Sequence, residues 1–422
     1  MDNDIALRIN KERLWDSIHR MAVIGATAKG GCRRLALTDE DVDARKLFLT
    51  WAADAGCSIR IDSMGNIFAR RAGLGENSLA PVATGSHLDT QPSGGKFDGP
   101  LGVICGIEVL RTLDDLGINT EKPLEVIVWT NEEGSRFAPA MVGSGVFSGI
   151  YDLEYGLSRS DRSGVTIGEE LNRLGYSGSE LPGNHPLDSF FEVHIEQGPI
   201  LEANGKTIGI VTGAQAQRWY EVTINGQEAH AGTTPMERRK DALVGAAQII
   251  SYLEKLASSF TDSRATVGLI EVSPNSRNTI PGHVFFTIDI RHPDDIVIAE
   301  MASQINETIS TISTDLKLST QVSEIWQAPS LKFDGTATNT VRSAVKNLEL
   351  SSMEIVSGAG HDACQVAHVV PTAMIFIPCA DGISHNEIES ASISDVEAGC
   401  NVLLNTILAH AGRIDGIGSR QD

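Results

Sequence analysis

Long hydrophobic runs, closely spaced cysteines and an excess of basic residues are all missing from this sequence. No apolar stretch approaches the ~20 residues that span a bilayer. The start, Met1-Asp2-Asn3-Asp4, lacks the basic and then apolar pattern of a signal peptide. The six cysteines are scattered without a Cys-x-x-Cys pair, which predicts reduced, buried thiols rather than disulfides or a zinc cage. These absences favour a cytoplasmic protein.

Positive charge is scarce relative to negative charge. The 34 lysines and arginines are outnumbered by 55 aspartates and glutamates, which gives a formal net charge of −21. Such a surface repels phosphate backbones and anionic lipid headgroups, so we expect neither nucleic acid nor a membrane as a partner. The hydrophobic fraction of 41% is ordinary for a globular protein, and 422 residues exceed what one core normally supports. The composition therefore predicts a soluble protein of two domains.

The two ends of the sequence, residues 1–212 and 328–422, alternate between helix and strand patterns. Two short apolar runs, Pro81–Thr84 and Leu124–Thr130, are typical of buried parallel strands. The segment between them, Leu101–Leu116, has the pattern of a helix that Gly117 ends. This βαβ arrangement predicts an α/β domain with a mostly parallel sheet.

Residues 213–327 have a different rhythm. Their strand and helix patterns follow the order β-α-β-β-α-β, in the segments Arg218–Asn225, Arg239–Leu256, Arg264–Val272, Val284–Arg291, Asp295–Ile312 and Leu318–Ile325. This is the order of a ferredoxin-like unit, which closes its own sheet and can be inserted into another domain. We therefore predict a catalytic domain, 1–212 and 328–422, that is split by an inserted domain, 213–327.

Side chains that can bind metal follow the predicted strands in five segments. These are Gly85-Ser86-His87-Leu88-Asp89-Thr90, Gly94-Gly95-Lys96-Phe97-Asp98-Gly99, Asn131-Glu132-Glu133-Gly134, Val193-His194-Ile195-Glu196-Gln197 and Ser384-His385-Asn386. A single histidine at a strand end is usually a structural residue, but ligands of open α/β folds collect at this edge of the sheet. Because Asp89 lies on the same side of an extended chain as His87, its carboxylate is expected to hold the second ring nitrogen of His87.

The sequence resembles the M20-type metal-dependent amidases of the hydantoinase/carbamoylase group. The similarity extends over nearly the whole chain, in the segments Gly85–Thr90, Gly94–Gly99, Thr130–Phe137, His194–Pro199, Ala229–Met236, Gly358–Ala363 and Ile383–Asn386. The stretches Glu-Glu-Gly-Ser-Arg-Phe, His-Ile-Glu-Gln-Gly-Pro and His-Ala-Gly-Thr-Thr-Pro-Met are specific to the carbamoylase branch. The resemblance implies an aminopeptidase-type catalytic domain with an inserted ferredoxin-like lid, which also forms a homodimer.

The resemblance implies a centre for two divalent ions per subunit. Asp98 would bridge the ions, His87 and His194 would hold one of them, and Glu133 and His385 would hold the other. Mixed nitrogen and oxygen ligands without a thiolate suit Zn²⁺ or Mn²⁺, with Co²⁺ or Ni²⁺ as alternatives.

Catalytic and substrate-binding roles also follow from the resemblance. Glu132 would be the general base, Asp89 would support the centre from behind His87, and His230 would donate a hydrogen bond to the developing oxyanion across a dimer. The residues implied around the substrate are Gln197, His230, Asn278, Arg291, Gly358 and Ala359. Arg291 has the right group for two-pronged capture of an amino-acid carboxylate.

The implied reaction is hydrolysis of the ureido (carbamoyl) amide of an N-carbamoyl amino acid, which gives the amino acid, ammonia and carbon dioxide. N-carbamoyl-L-amino acids and N-carbamoyl-β-alanine are the expected substrates, and allantoate is an alternative. A peptidase or aminoacylase with the same two-metal core is a further alternative, and so is a catalytically inactive binding protein on the same fold. An inactive copy should have lost a ligand or the base, whereas every candidate position is retained here.

Overall fold

The mostly parallel sheet predicted for the two ends of the chain is present in the structure, a computed structural model that describes residues 6–76 and 79–415. The chain divides into two units. One unit contains the described residues up to Gly213 and from Lys332 onward, and the other comprises Ala214–Leu331. The expectation drawn from Met1-Asp2-Asn3-Asp4 falls outside the described residues.

The first unit begins with an alternation of helices and strands, and it resumes after the insertion. Up to the insertion its elements are α1 (Lys11–Ala22), α2 (Asp39–Asp54), β1 (Ser58–Ile61), β2 (Ile67–Arg71), β3 (Val82–His87), α3 (Pro100–Asp115), β4 (Ile118–Thr120), β5 (Leu124–Trp129), α4 (Val142–Phe147), α5 (Leu153–Leu157), α6 (Ile167–Leu174), β6 (Ser189–Ile195), α7 (Ile200–Ala203) and β7 (Ile208–Ala214). The insertion contributes β8 (Ala216–Asn225), β9 (Ala229–His230), α8 (Ala242–Ser259), β10 (Arg264–Thr266), β11 (Ile270–Ser273), β12 (Thr279–Ile280), β13 (His283–His292), α9 (Asp295–Asp315) and β14 (Ser319–Ala328). The remaining elements are β15 (Leu331–Lys332), α10 (Gly335–Asn347), β16 (Ser352–Ser357), α11 (Asp362–Val366), β17 (Thr372–Ile377), α12 (Ile393–Ala411) and β18 (Arg413–Asp415).

The main sheet has four parallel strands at its centre. Its order is β1-β2-β5-β3-β6-β17-β7-β15, with β16 pairing β7, and the neighbours β5, β3, β6 and β17 run in parallel. His87 is level with Trp129, and His194 is level with Phe376. Because these strands end at one edge of the sheet, the residues that follow them meet there.

Every residue of β3, β5, β6 and β17 is buried, and most residues of β5, β6 and β17 are apolar. That pattern belongs to strands covered on both faces. Helices α1, α3 and α12 contribute Leu14, Ile107 and Leu404 to the same core. Helix α3 lies close to the sheet at Gly102, which has no Cβ. A Cβ at that position would come within 2.7 Å of the Val193 carbonyl oxygen. The amino end of α3, which follows Asp98, is thereby held near the strand ends.

The inserted unit is an antiparallel sheet with helices α8 and α9 packed on one face. The sheet order is β10-β13-β8-β14, with β11 also pairing β13, which is the ferredoxin-like arrangement that the sequence predicts. The predicted strand Arg264–Val272 is wrong in one respect, because it is divided into β10 and β11. Three residues, 267–269, lie opposite two on β13, so the pairing is interrupted at Gly268 as in a β-bulge.

The cysteines are all free, as predicted from their spacing. Four of the six are buried, and the other two are partly buried. Among residues 6–76 and 79–415, none of the helices combines the length and the apolar character needed to cross a bilayer.

Candidate metal centre and active site

The predicted metal ligands of the first unit meet at the carboxyl edge of the parallel strands. His87 ends β3, His194 is the last residue but one of β6, and Glu133 follows β5. His385 lies in the connection between β17 and α12, and Asp98 precedes α3. All five side chains belong to two groups whose ligand atoms lie within 4.8 Å of one another. One group contains His87, Asp98 and His194, and the other contains Asp98, Glu133 and His385.

Asp98 belongs to both groups and presents one carboxylate oxygen to each. Its Oδ1 lies 3.2 Å from Nε2 of His194 and 4.0 Å from Nε2 of His87. Its Oδ2 lies 3.3 Å from Nε2 of His385, and that nitrogen is 3.5 Å from Oε2 of Glu133. This is the arrangement that a carboxylate bridging two cations requires.

Two buried atoms of the centre are left without a hydrogen bond. Nε2 of His194 and Oε1 of Glu133 are both inaccessible to solvent and make no hydrogen bond of good geometry among the described residues, although Oδ1 of Asp98 lies 3.2 Å from Nε2 of His194. An unsatisfied buried polar atom is unfavourable, and buried ligand atoms of this kind suit a metal ion. The nitrogen and oxygen donors therefore fit the Zn²⁺ or Mn²⁺ type of ion that the sequence resemblance implies.

Backbone carbonyl groups orient the two buried imidazoles. Nδ1 of His194 lies 2.9 Å from the Ile195 carbonyl oxygen, and Nδ1 of His87 lies 2.8 Å from the Asp89 carbonyl oxygen. Because each Nδ1 donates to a carbonyl, Nε2 of each ring is the nitrogen available to a metal. The prediction that the Asp89 carboxylate hydrogen-bonds the His87 ring is wrong, since Oδ1 of Asp89 lies 3.8 Å from Nδ1 of His87.

The Asp89 carboxylate instead supports the loop that carries the two glutamates. Its Oδ1 accepts a hydrogen bond from the backbone N–H of Glu132, at 3.3 Å, and its Oδ2 accepts one from that of Glu133, at 3.2 Å. Asp89, two residues after the end of β3, therefore orients His87 through its main chain and the neighbouring acidic loop through its side chain. Asp89 couples the positions of His87 and Glu132.

Burial and mutual repulsion perturb the acidic groups of the centre. Burial, with the charge of Asp98 next in size, raises the pKa of Glu133 to about 8. Burial and the charges of Asp362 and Glu133 raise the pKa of Glu132 well above its usual range. Burial also raises the pKa of Asp89 to about 7. Such a concentration of buried carboxylates favours a bound cation.

The histidines respond to the same environment in opposite directions. Burial lowers the pKa of His87 to about 4, so this imidazole is neutral and able to bind a metal at neutral pH. Burial by itself would lower the pKa of His194 as well, but the adjoining Asp98 carboxylate outweighs burial and raises that pKa to about 9. Burial opposes the ionised form of Asp98, yet His194 and His385 hold the Asp98 pKa well below its usual range.

Glu132 lies beside this centre but belongs to neither group of donors. Its Oε2 is 3.5 Å from Nε2 of His87, and the residue is 7% exposed. A carboxylate with a raised pKa, next to ligands but outside their set, has the placement expected of a proton acceptor.

Three residues at the centre have left-handed backbone conformations that non-glycine residues seldom adopt. Asn131 has φ +58°, Gln197 has φ +59° and His385 has φ +53°. The Asn131 side chain stabilises its turn by donating to the Phe137 carbonyl at 2.8 Å. Such conformations are unfavourable by roughly 1–3 kcal/mol each and are concentrated at functional sites.

The structure brings some predicted substrate-binding residues of the first unit to the centre. Nε2 of Gln197 donates to Oδ2 of Asp98 at 2.9 Å and to Oγ of Ser384 at 3.2 Å. Gly358 and Ala359 follow β16, and the hydroxyl group of Ser357 hydrogen-bonds both to the Ala359 N–H and to its carbonyl oxygen. The substrate-binding role of Gly358 and Ala359 stays a prediction.

The remaining predicted residues lie in the inserted unit. His230, on β9, is paired with Thr279, and the N–H of Ala231 donates to the Asn278 carbonyl oxygen at 2.9 Å, so His230 and Asn278 are neighbours. Nδ1 of His230 accepts hydrogen bonds from the N–H groups of Gly232 and Thr233, which leaves Nε2–H as a donor. Arg291, on β13, makes a forked contact with Asp289, with Nη2 2.6 Å from Oδ2.

Sequence reasoning missed several buried side chains around the centre. Glu192 accepts hydrogen bonds from Oγ of Ser86 at 2.6 Å and from the N–H of Ala363 at 2.9 Å. Glu192 also forms a third group of potential ligands with His194 and His361. Further missed residues are Gln91, Asp362, Ser384 and Glu389. Glu192 and Glu389 were detectable in principle, since a glutamate is unusual in a buried strand or beside a ligand loop.

Comparison with known proteins shows similarity over most of the chain. Residues 83–409 match the model of peptidase family M20/M25/M40. An N-carbamoyl-L-amino-acid amidohydrolase of Rhizobium meliloti is 46% identical over 96% of this chain and 97% of its own, and a second one, from a Pseudomonas strain, is 38% identical over 95% and 99%. A crystal structure of a hydantoinase/carbamoylase family amidase from Burkholderia vietnamiensis is 55% identical, covers 97% of this chain and 99% of its own, and has a TM-score of 0.95.

Proposed function

Because the chain belongs to peptidase family M20/M25/M40, we propose that it is an amidohydrolase that cleaves the ureido group of N-carbamoyl amino acids. In the overall reaction, one water and one N-carbamoyl amino acid give the amino acid, ammonia and carbon dioxide. N-carbamoyl-L-amino acids are the leading candidate substrates, because the relatives at 46% and 38% identity are named N-carbamoyl-L-amino-acid amidohydrolases. N-carbamoyl-β-alanine is the next candidate.

The observation that carries this proposal is the pair of donor groups that share Asp98. His87 and His194 would hold one divalent ion, Glu133 and His385 would hold a second, and Asp98 would bridge them. When bound, such ions polarise a carbonyl group and lower the pKa of water. The excess of buried carboxylate charge and the unsatisfied atoms of His194 and Glu133 support this occupancy.

Glu132 supplies the acid–base chemistry in this proposal. Its carboxylate takes a proton from the attacking water and delivers it to the nitrogen that leaves. The position beside His87, outside both donor groups, leaves its oxygens available for that transfer. The Asp89 carboxylate accepts a hydrogen bond from the Glu132 backbone N–H, and this contact limits how far the base can move.

Substrate recognition is proposed for both units. In the inserted unit, the Nε2–H of His230 is a suitable donor for the developing oxyanion. Arg291 has the guanidinium group that suits the carboxylate of the amino acid, and in this structure that group donates to Asp289. Gln197, Gly358, Ala359 and Asn278 are proposed to complete the substrate contacts. A homodimer in which His230 serves the neighbouring subunit, and a cytoplasmic location, belong to the same proposal.

The direct test is a hydrolysis screen of the purified protein supplied with Zn²⁺ or Mn²⁺. N-carbamoyl derivatives of several L-amino acids, N-carbamoyl-β-alanine and allantoate are compared, and ammonia and free amino acid are measured together. The expected result is equimolar release from an N-carbamoyl-L-amino acid, with loss of activity after chelation and recovery when Zn²⁺, Mn²⁺, Co²⁺ or Ni²⁺ is added back.

Dipeptides and N-acetyl amino acids serve as the matched comparison, because they share the free carboxylate and lack the ureido nitrogen. Cleavage of these compounds without any ureido hydrolysis would identify a peptidase or aminoacylase instead. Activity that persists in protein shown to be metal-free by elemental analysis would contradict the metal centre.

A further inference from the structure

We propose that Glu389 is a positioning residue that fixes the carboxylate of Asp98 between the two groups of metal donors. This inference rests on the metal centre of the proposed function. Glu389 is 3% exposed and lies in the connection between β17 and α12, four residues after His385. It belongs to none of the potential ligand groups among the described residues.

The carboxylate of Glu389 contacts both the segment that contains Asp98 and the hydroxyl group of Ser384. Its Oε1 accepts hydrogen bonds from the backbone N–H groups of Phe97, at 2.9 Å, and of Asp98, at 3.2 Å. Its Oε2 accepts one from the hydroxyl group of Ser384, at 2.9 Å. The two hydrogen bonds of Oε1 join distant parts of the chain, since Asp98 and Glu389 are separated by 291 positions. The main chain at the bridging ligand is therefore fixed from the side of the His385 loop.

Ser384 extends the same support to the Asp98 side chain. Its Oγ lies 3.0 Å from Oδ2 of Asp98 as well as 2.9 Å from Oε2 of Glu389. A hydroxyl group has one proton, so Ser384 donates to one of these carboxylates at a time. Glu389 restrains the Asp98 backbone directly, and Ser384, which lies between the two carboxylates, can donate to the Asp98 side chain.

The glycine-rich loop before Asp98 is built around the Glu389 carboxylate. A Cβ placed on Gly95 would lie only 2.0 Å from Oε1 of Glu389 and 2.1 Å from its Cδ. Any side chain at position 95 would therefore displace the carboxylate from the Phe97 and Asp98 N–H groups. The small residue at this position provides independent evidence that the carboxylate is closely fitted to the ligand loop.

The reach of the side chain matters more for this role than its charge. Glutamine has the same length, so its oxygen can accept from the two backbone N–H groups while its amide donates to Ser384. Aspartate keeps the charge but is one methylene shorter, and it cannot contact both partners. Alanine contacts neither. Glu389→Gln should therefore preserve the position of Asp98, whereas Glu389→Asp and Glu389→Ala should release it.

The test measures affinity for Zn²⁺ alone, by competition with a chromogenic chelator, together with zinc content by elemental analysis. We expect zinc affinity close to wild type for Glu389→Gln and a loss of ~10–100-fold for Glu389→Asp and Glu389→Ala, the scale of losing support around a ligand. Glu125→Gln is the control. Glu125 is also a buried glutamate, but it contacts Arg60 and His185, away from the donor groups.

The outcomes separate this inference from the metal centre itself. Wild-type protein that binds no zinc contradicts the proposed metal centre, whereas wild-type protein that binds zinc with unchanged affinity in Glu389→Asp contradicts the role of Glu389. Equal zinc losses in Glu125→Gln and Glu389→Asp would show a general effect of destabilisation. A lower zinc affinity for Glu389→Gln than for Glu389→Asp would show that the charge of the side chain, not its length, determines its role. If Glu389→Ala does not fold, the Gln and Asp variants still decide the question.

Discussion

Gly99 lies against the ring of His87, and an alanine at this position should disable the metal centre. The Gly99 backbone has φ +87° and ψ −60°. A Cβ there would lie 2.4 Å from Cε1 and 2.5 Å from both ring nitrogens of His87. Ordinary van der Waals contact begins near 3.4 Å. The difference between 3.4 and 2.4 Å means that the ring or the loop must move by about 1 Å.

A shift of this size is large on the scale of metal coordination. Distances between a metal and its ligands are fixed to about 0.2 Å, and His87 is buried with its Nδ1 bound to the Asp89 carbonyl oxygen at 2.8 Å. The imidazole therefore cannot retreat without breaking the contact that orients it. We expect Gly99→Ala to lower metal affinity by at least the ~10–100-fold typical of a lost supporting contact. The positive φ adds roughly 1–3 kcal/mol of backbone strain.

Gly117→Ala is the control for a Cβ at positive φ. Gly117 follows the other end of α3 with φ +64°, and a Cβ there would meet nothing within 4 Å. Both variants place a Cβ on a residue with positive φ, but only Gly99→Ala crowds His87. The assay compares zinc content after dialysis, turnover and melting temperature. Full zinc content and normal turnover in Gly99→Ala would refute the assignment of His87 as a ligand.

Three further predictions concern catalysis. Glu132→Gln should keep its bound metal and lose at least ~10²-fold in turnover, the scale of a lost general base; near-normal turnover would exclude that role. Arg291→Lys should lower the catalytic efficiency for carboxylate substrates by an amount equivalent to ~2–5 kcal/mol of transition-state binding, and very little for the matching carboxamides. Equal losses for both would show that Arg291 does not bind a carboxylate. Mixed dimers of His230→Ala and Glu132→Gln chains should recover about half of the wild-type activity, since one site of each has both residues intact, and tagged mixed dimers that stay inactive would place His230 in its own subunit's site or in none.

The sequence was sufficient to predict the elements whose periodicity is strong. The apolar runs Pro81–Thr84 and Leu124–Thr130 correspond to β3, which ends at the predicted site residue His87, and to β5, which ends shortly before Glu132. Ligands at the ends of such strands were predictable because parallel strands end at one edge of the sheet. The predicted strand Arg264–Val272 fails at Gly268, where local propensity does not reveal that three residues lie opposite two.

Supporting contacts could not be predicted because they depend on atoms rather than on residue types. Asp89 follows His87 at the spacing of an orienting carboxylate, yet its carbonyl oxygen orients the ring and its carboxylate turns to the Glu132 and Glu133 N–H groups. Sequence spacing does not distinguish main-chain from side-chain acceptors. Glu389 is separated from Asp98 by 291 positions, and no local pattern connects two residues so far apart.

The features that weaken this fold are concentrated where the chemistry is proposed. Four carboxylates, those of Asp89, Asp98, Glu132 and Glu133, are buried together, and burial opposes the ionised form of each. Left-handed residues adjoin them at the turn before Glu132 and at His385 itself. Neither feature adds to the apolar core around the central sheet. Buried charge and backbone strain of this kind persist where they serve a function, and a pair of divalent cations is the ligand that would compensate the charge.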